Sequence, residues 1–259
     1  MNRLKEKIDA VVSKREKVLA LFLTAGYPRI DDTVRIALEL ERGGADIVEL
    51  GIPFSDPLAD GPVIQQSSSV ALRNGLTLEK LLRQVRRIRR ESDMPIVLMG
   101  YLNPILSYGV ADFFSSAAGA GVDGMILPEL PFEEADTFKQ LLDENNLSQI
   151  LLVAPTTPPD RIEAIDAASS GFLYCVSTTG VTGGDGKGPM YEYIVNVKRH
   201  AKKNPVLVGF GISTPKDAKR CAGYSDGVII GSALIKRIAG AGSRGKLREW
   251  VSQFKRVLQ

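Results

Sequence analysis

Histidine is almost absent from this sequence: among 259 residues there is one, His200. Cysteine is nearly as scarce, with only Cys175 and Cys221, and nowhere do Cys and His cluster. That scarcity argues against a Cys/His zinc centre and a Ser-His-Asp triad, and no metal site is expected. Two cysteines do not make a disulfide framework, and they point to a reducing, cytoplasmic setting. Long hydrophobic runs are missing too. No stretch approaches the roughly 20 apolar residues that cross a bilayer, so no membrane role is expected. The N-terminus from Met1 to Ala10 reads as a charged amphipathic helix without the apolar core of a signal peptide. Neither sign of charge dominates: 33 Lys and Arg oppose 30 Asp and Glu, a net charge of +3. That balance is too small to argue for nucleic acid, although it suits a phosphorylated substrate. The densest basic run, Arg83, Arg86, Arg87, Arg89 and Arg90, has no aromatics interleaved to stack on bases. It reads as the solvated outer face of a helix.

What is present is a strict alternation of short apolar runs and amphipathic segments. Strand-like runs cover 18–23, 47–50, 95–99, 122–127, 149–153, 172–176, 205–208 and 227–230. Between them lie helical patterns, such as Val34, Ala37 and Leu38 after a cap at Asp31 or Asp32, stopped by Gly43 and Gly44. A second example is the stripe Leu78, Leu81, Leu82 and Val85. Pro131 marks the first turn of a helix containing Phe138, Leu141 and Leu142. Eight strand-then-helix units in a chain near the usual barrel length predict a (β/α)8 barrel, in one domain covering 1–259. The N-terminal helix and extra short helices decorate that pattern, and a doubly wound open sheet is the alternative.

In a parallel barrel, the strand C-terminal ends and the loops after them build the site. The richest such place runs from Asp46 to Gly61. Glu49 sits inside the apolar run of Ile47, Val48 and Leu50, and a carboxylate there is costly unless it has a partner or a task. The loop that follows carries Asp56 and Asp60, which by themselves also read as turn formers. Two carboxylates near one strand end, one buried and one on a loop, are what general acid/base chemistry requires. Later glycines add a phosphate signal. Gly209 and Gly211 follow the seventh strand, and Gly231 and Ser232 follow the eighth, where Ser232 opens a helix. Backbone N–H groups can approach an anion there, with the helix N-terminus adding partial positive charge. A third glycine-rich loop, 177–189, contains Thr182 and Gly183 and reads as a mobile lid. Phe22, Tyr101, Tyr174 and Phe210 lie at or just past strand ends and together can line a flat apolar pocket for an aromatic ring.

The run from Glu49 to Pro62, E-L-G-I-P-F-S-D-P-L-A-D-G-P, resembles the signature of the tryptophan synthase alpha chain family. The matches continue at Gly180 to Gly183, Gly209 to Ser213, and Gly231 with Ser232, in order along the whole chain. The resemblance implies retro-aldol cleavage of indole-3-glycerol phosphate to indole and glyceraldehyde 3-phosphate. It implies Glu49 as the acid/base group, and Asp60 as the acceptor of the ring N–H. It assigns Tyr174 to positioning of substrate and Asp60, Thr182 to a bond with Asp60 on lid closure, and Gly183, Gly211, Gly231 and Ser232 to phosphate. Pro53 and Asp56 match a segment that contacts a beta chain in an alpha2-beta2 tetramer. That partner carries pyridoxal phosphate, and this chain needs no cofactor of its own. Two positions depart from the family pattern: Glu129, where Asp is commoner, and Thr178, where some members have Arg. A stand-alone lyase that releases free indole and a catalytically weak activator of the beta chain are the other readings.

Overall fold

The apolar run near the N-terminus becomes strand β1, Val18–Thr24, buried along its whole length. Only a strand covered on both faces can be apolar at every position, and a parallel barrel supplies that cover. In the computed structural model, which describes residues 2–176, 189–209, 211–240 and 246–259, eight more strands follow. They are β2 Ile47–Gly51, β3 Ile96–Met99, β4 Gly124–Ile126, β5 Ser148–Ile150, β6 Leu152–Val153, β7 Leu173–Val176, β8 Val206–Gly209 and β9 Gly227–Ile230. All pairings are parallel. The order is β5-β4-β3-β2-β1-β9-β8-β7-β6. Its two ends, β5 and β6, are consecutive in the chain and separated only by Leu151. They are two halves of one stave, so the sheet closes on itself and the fold is a (β/α)8 barrel.

The fifth stave was expected as one strand, and hydroxyl groups explain its break. The N–H groups of Gln149 and Leu151 donate to the side chains of Ser170 and Ser169 at 2.8 and 3.2 Å. These serines stand where a neighbouring strand would begin, so the ladder is completed by side chains before β7 takes over.

The first six helices are α1 Arg3–Ser13, α2 Asp32–Arg42, α3 Pro62–Arg73, α4 Leu78–Arg89, α5 Leu102–Tyr108 and α6 Val110–Ala120. The others are α7 Ala135–Glu144, α8 Pro159–Ala168, α9 Pro189–His200, α10 Pro215–Ala222, α11 Ser232–Ala239 and α12 Lys246–Arg256. Leu4, Ile8 and Val11 of α1 join the barrel-interior cluster with Val18, Ile47 and Phe172. This helix therefore stoppers the N-terminal end of the barrel. Helix α5, not among the expected helices, contains Pro104. That proline is in the first turn, where the missing N–H would have no intrahelical partner anyway. Helix α7 starts at Ala135 rather than at Pro131, because a 3-10 turn, Phe132–Glu134, comes first. Asp31 stands at the N-cap of α2 without a side-chain cap bond, while Asp32 is held by Arg29 and Arg35, each at 2.9 Å.

The basic run on α4 divides. Arg83, Arg86, Arg87 and Arg90 are exposed, as expected of an outer face. Arg89 is not: its side chain is 11% exposed and forms an ion pair with Asp123 at 2.6 Å. It also donates to the carbonyls of Gly121, Ser92 and Met94 at 2.8, 3.1 and 2.6 Å. Asp123 in turn accepts the Ile96 N–H at 2.8 Å and pairs with Arg3 of α1 at 2.9 Å. One cluster thus ties β3, β4, α4 and the stopper helix together. Arg89→Ala leaves Asp123 buried with two of these three partners. It should cost about 3 kcal/mol of stability, the usual cost of breaking a buried pair. Denaturant unfolding measures it, and a loss below about 1 kcal/mol would mean the cluster is not structural.

Candidate active site

Glu49 lies in the middle of β2, in register with Phe22 of β1 and Val97 of β3. Its alternation with Ile47, a barrel-interior residue, turns it inward. It is 1% exposed. Neither carboxylate oxygen has a hydrogen-bond partner among the described residues. Burial, and secondly the negative charge of Asp60, push its pKa from 4.5 up to about 8. Asp60 sits in the loop between β2 and α3 and is half-buried. Burial pushes its pKa up to about 6, while the Tyr101 hydroxyl pulls it back down. At neutral pH the two carboxyls are therefore in different states: Glu49 keeps its proton, and Asp60 is an anion.

Tyr174 on β7 is buried, and its hydroxyl is held well above its usual range by that burial and by the charges of Glu49 and Asp60. It therefore lies near enough to both carboxyls to feel their charge. Room for it is made by Gly209 on the neighbouring strand, where an added Cβ would stand 2.5 Å from the Tyr174 hydroxyl oxygen. Phe22 is accommodated in the same way. A Cβ at Gly51 would stand 2.5 Å from the tip of its ring, and one at Gly231 would lie 3.4 Å from its own Cβ. Two glycines at strand ends are thus spaces for two aromatic rings.

Tyr101 closes the other side. Its hydroxyl accepts the Ala59 N–H at 3.0 Å, and its ring stacks on Phe54 with centroids 5.2 Å apart and planes at 27°. Sequence reasoning assigned Tyr101 to the pocket wall and missed this tie, which joins residues 42 positions apart. It also missed the part played by Glu129, whose carboxylate accepts the Leu102 N–H at 2.5 Å and so fixes the start of α5.

At the phosphate-type end, Gly231 is the N-cap of α11, and Ser232 is its exposed first residue. Gly211 is exposed with φ of +67°, a conformation that favours glycine. Thr182, Gly183 and Phe210 lie outside the described residues, as does Thr178. Pro53 is buried, and Asp56 is exposed on the same loop, accepting the Ser55 hydroxyl at 2.5 Å. Beside it Leu58 is 93% exposed. Among the described residues no three His, Cys, Asp or Glu side chains come together as a metal set, and no helix is long and apolar enough to cross a membrane.

A closed parallel barrel with a buried acid, a neighbouring anion and a glycine-lined helix N-terminus at one end belongs to the class of (β/α)8 acid–base enzymes. Comparison with known proteins narrows that class. The family model described as tryptophan synthase alpha chain matches residues 8–257. The alpha chain of Petrotoga mobilis is 46% identical over 252 residues, covering 96% of this chain and 97% of the relative. That of Flavobacterium johnsoniae is 43% identical, covering 98% and 100%. The crystal structure of the alpha subunit from Legionella pneumophila superposes with a TM-score of 0.92 at 37% identity, over 100% of this chain and 98% of that one. Tryptophan synthase from M. tuberculosis in an aminoacrylate-bound form gives 0.89 at 33% identity, with both chains covered completely. The chain belongs to the tryptophan synthase alpha chain family.

Two predictions follow from the packing and the charge. Gly51→Ala should lower stability by about 1–3 kcal/mol through overpacking on Phe22. Adding Phe22→Leu should restore part of that in thermal unfolding, and no restoration would mean the two do not share the space. For Glu49 the folded pKa is raised, so the folded state holds the proton more tightly than the unfolded one. Stability then falls as pH rises from 4.5 to about 8, at a limit of about 1.4 kcal/mol per pH unit. Glu49→Gln removes that slope and should be the more stable protein at pH 8. A wild-type and mutant pair with parallel stability curves would refute the buried-acid assignment.

Proposed function

We propose that this chain cleaves indole-3-glycerol phosphate to indole and glyceraldehyde 3-phosphate, with Glu49 as acid and then base. The observation that carries the reading is the buried Glu49 carboxyl, without a hydrogen-bond partner among the described residues, beside a carboxylate of lower pKa. Indole C3 leaves poorly until it is protonated. The Glu49 proton goes to C3 and gives the indolenine, with positive charge on the ring nitrogen. Asp60, already an anion, accepts the ring N–H and stabilises that charge. Glu49, now a carboxylate, takes the proton of the hydroxyl on the carbon attached to C3. The bond from that carbon to C3 breaks, an aldehyde forms, and the electron pair returns through the ring to nitrogen. The proton count closes, since Glu49 gives one proton and regains one.

Phe22, Tyr174, Tyr101 and Phe210 would hold the flat ring. Gly211, Gly231, Ser232 and Gly183 would take the phosphate, with α11 presenting N–H groups that have no intrahelical partner. Thr182 would bond Asp60 as loop 177–189 closes. The family implies a beta-chain partner, and the pyridoxal phosphate chemistry belongs to that partner. We place the contact at Pro53 and Asp56, in an alpha2-beta2 tetramer, with exposed Leu58 supporting a covered surface there.

The test is indole release by purified protein, with Glu49→Gln in parallel. The mutant should lose roughly 10²–10⁴-fold in rate, the range for a positioned acid/base group. The rate should peak between about pH 6 and 8, where Asp60 is charged and Glu49 is not. A mutant as active as wild type would remove Glu49 from the reaction. Co-purification with a beta chain separates the tetramer subunit from a stand-alone lyase.

A further inference from the structure

Asp60 has to be charged and in place although it stands on a loop, and the strand that carries Glu49 does not reach it. A cavity of about 240 Å³, lined by Ile52, Pro53, Phe54, Leu76, Leu81 and Pro104, opens behind the loop's first residues. Within the loop, Asp60 donates its N–H to the Pro57 carbonyl at 3.3 Å, and its carbonyl accepts Gln65 Nε2 at 2.9 Å. The first bond stays within the loop, and the second ties it only to the first turn of α3. At its start the loop is tied to β3 by the Ile52 N–H on the Met99 carbonyl at 2.7 Å, and nearer Asp60 a link from elsewhere in the chain is Tyr101, which holds the Ala59 N–H and stacks on Phe54. Tyr101 is itself buried and caps α5, whose first N–H is taken by Glu129.

A phenol oxygen that accepts a backbone N–H turns its own hydrogen elsewhere, and the acceptor next in the chain is the Asp60 carboxylate. We propose that Tyr101 is a positioning residue: by gripping Ala59 it fixes the loop, and by donating to Asp60 it keeps that group in place as an anion. The catalytic part rests on the lyase reading given above. The groups facing Asp60 agree with this assignment. Glu49 from β2 is the neighbouring acid, and its proton at neutral pH spares Asp60 a like charge. Tyr174 faces Asp60 from β7. Glu129, from the loop after β4, acts on Tyr101. Of these, Tyr101 is the group that lowers the Asp60 pKa against burial.

The test is Tyr101→Phe in the full-length chain. The substitution keeps the ring and its stacking on Phe54 and removes only the hydroxyl. Removing a donor to a carboxylate favours its protonated form, so the Asp60 pKa must rise. Its titration, followed by carbon NMR of labelled aspartate and assigned with Asp60→Asn, should move up by roughly one pH unit, the size of a hydrogen bond to a charged acceptor. With the beta chain present, the acid limb of kcat/KM for indole release should move up equally. In the Asp60→Asn background Tyr101→Phe should add no further shift of the acid limb, because the group that titrates is gone. An unmoved titration overturns the proposal. So does a fall in kcat/KM that is the same at every pH, which is the mark of a merely structural residue. Wild type that releases no indole sinks the lyase reading and the catalytic half of this proposal with it, while the titration still decides whether Tyr101 holds Asp60.

Discussion

One carboxyl group buried without a hydrogen-bond partner sets the terms for the rest of the molecule. Glu49 is surrounded by barrel interior, and both of its oxygens lack partners among the described residues. A charge there is so costly that the group keeps its proton through neutral pH. Its acidity is therefore a property of the whole barrel. Anything that let water in from below would lower its pKa and remove the proton it has to give. Helix α1 has that place: Leu4, Ile8 and Val11 fill the N-terminal mouth, and Arg3 fastens the helix to Asp123. A helix far from the reacting atoms thus belongs to the same electrostatic problem as the acid itself.

The upper end of the barrel meets a different constraint, because aromatic rings and carboxyls crowd the few positions where strands end. Two glycines relieve it. Gly51 and Gly209 would each place a Cβ 2.5 Å from an aromatic side chain, Phe22 in one case and Tyr174 in the other. Their value is the volume they leave empty. Gly211 differs, since its φ of +67° is a backbone requirement. Glycines alike in the sequence thus answer to different physical demands.

This explains what could be read from the sequence and what could not. The staves, the stripes of helices such as α4, and the odd acid at Glu49 are local patterns, each confined to a few neighbouring residues, and all were legible. The break at Leu151 was not, because it depends on the hydroxyls of Ser169 and Ser170, some 20 residues away. Arg89 resembled its exposed neighbours on α4 until β3 and β4 supplied carbonyls and Asp123 for it to bind. Tyr101 read as pocket wall, and its tie to Ala59 exists only because two loops meet. In each case a side chain that local periodicity describes as surface or lining is claimed by a partner distant in sequence.

The two carboxyls also divide between the rigid and the adjustable parts of the fold. Glu49 is on a central strand, paired on both sides, and no motion short of opening the barrel relocates it. Asp60 is on a loop over a cavity, held from outside by Tyr101. A force on the exposed end of that loop, at Asp56 and Leu58, reaches Asp60 through a short stretch of backbone and through the stacking of Phe54 on Tyr101. In the proposed mechanism the proton donor is thus fixed by the barrel. The position of the stabilising charge would depend on where the loop sits. A partner acting on this surface would act first on the placement of Asp60, and through the Asp60 charge would also reach the acidity of Glu49, whose larger part the barrel sets by burial.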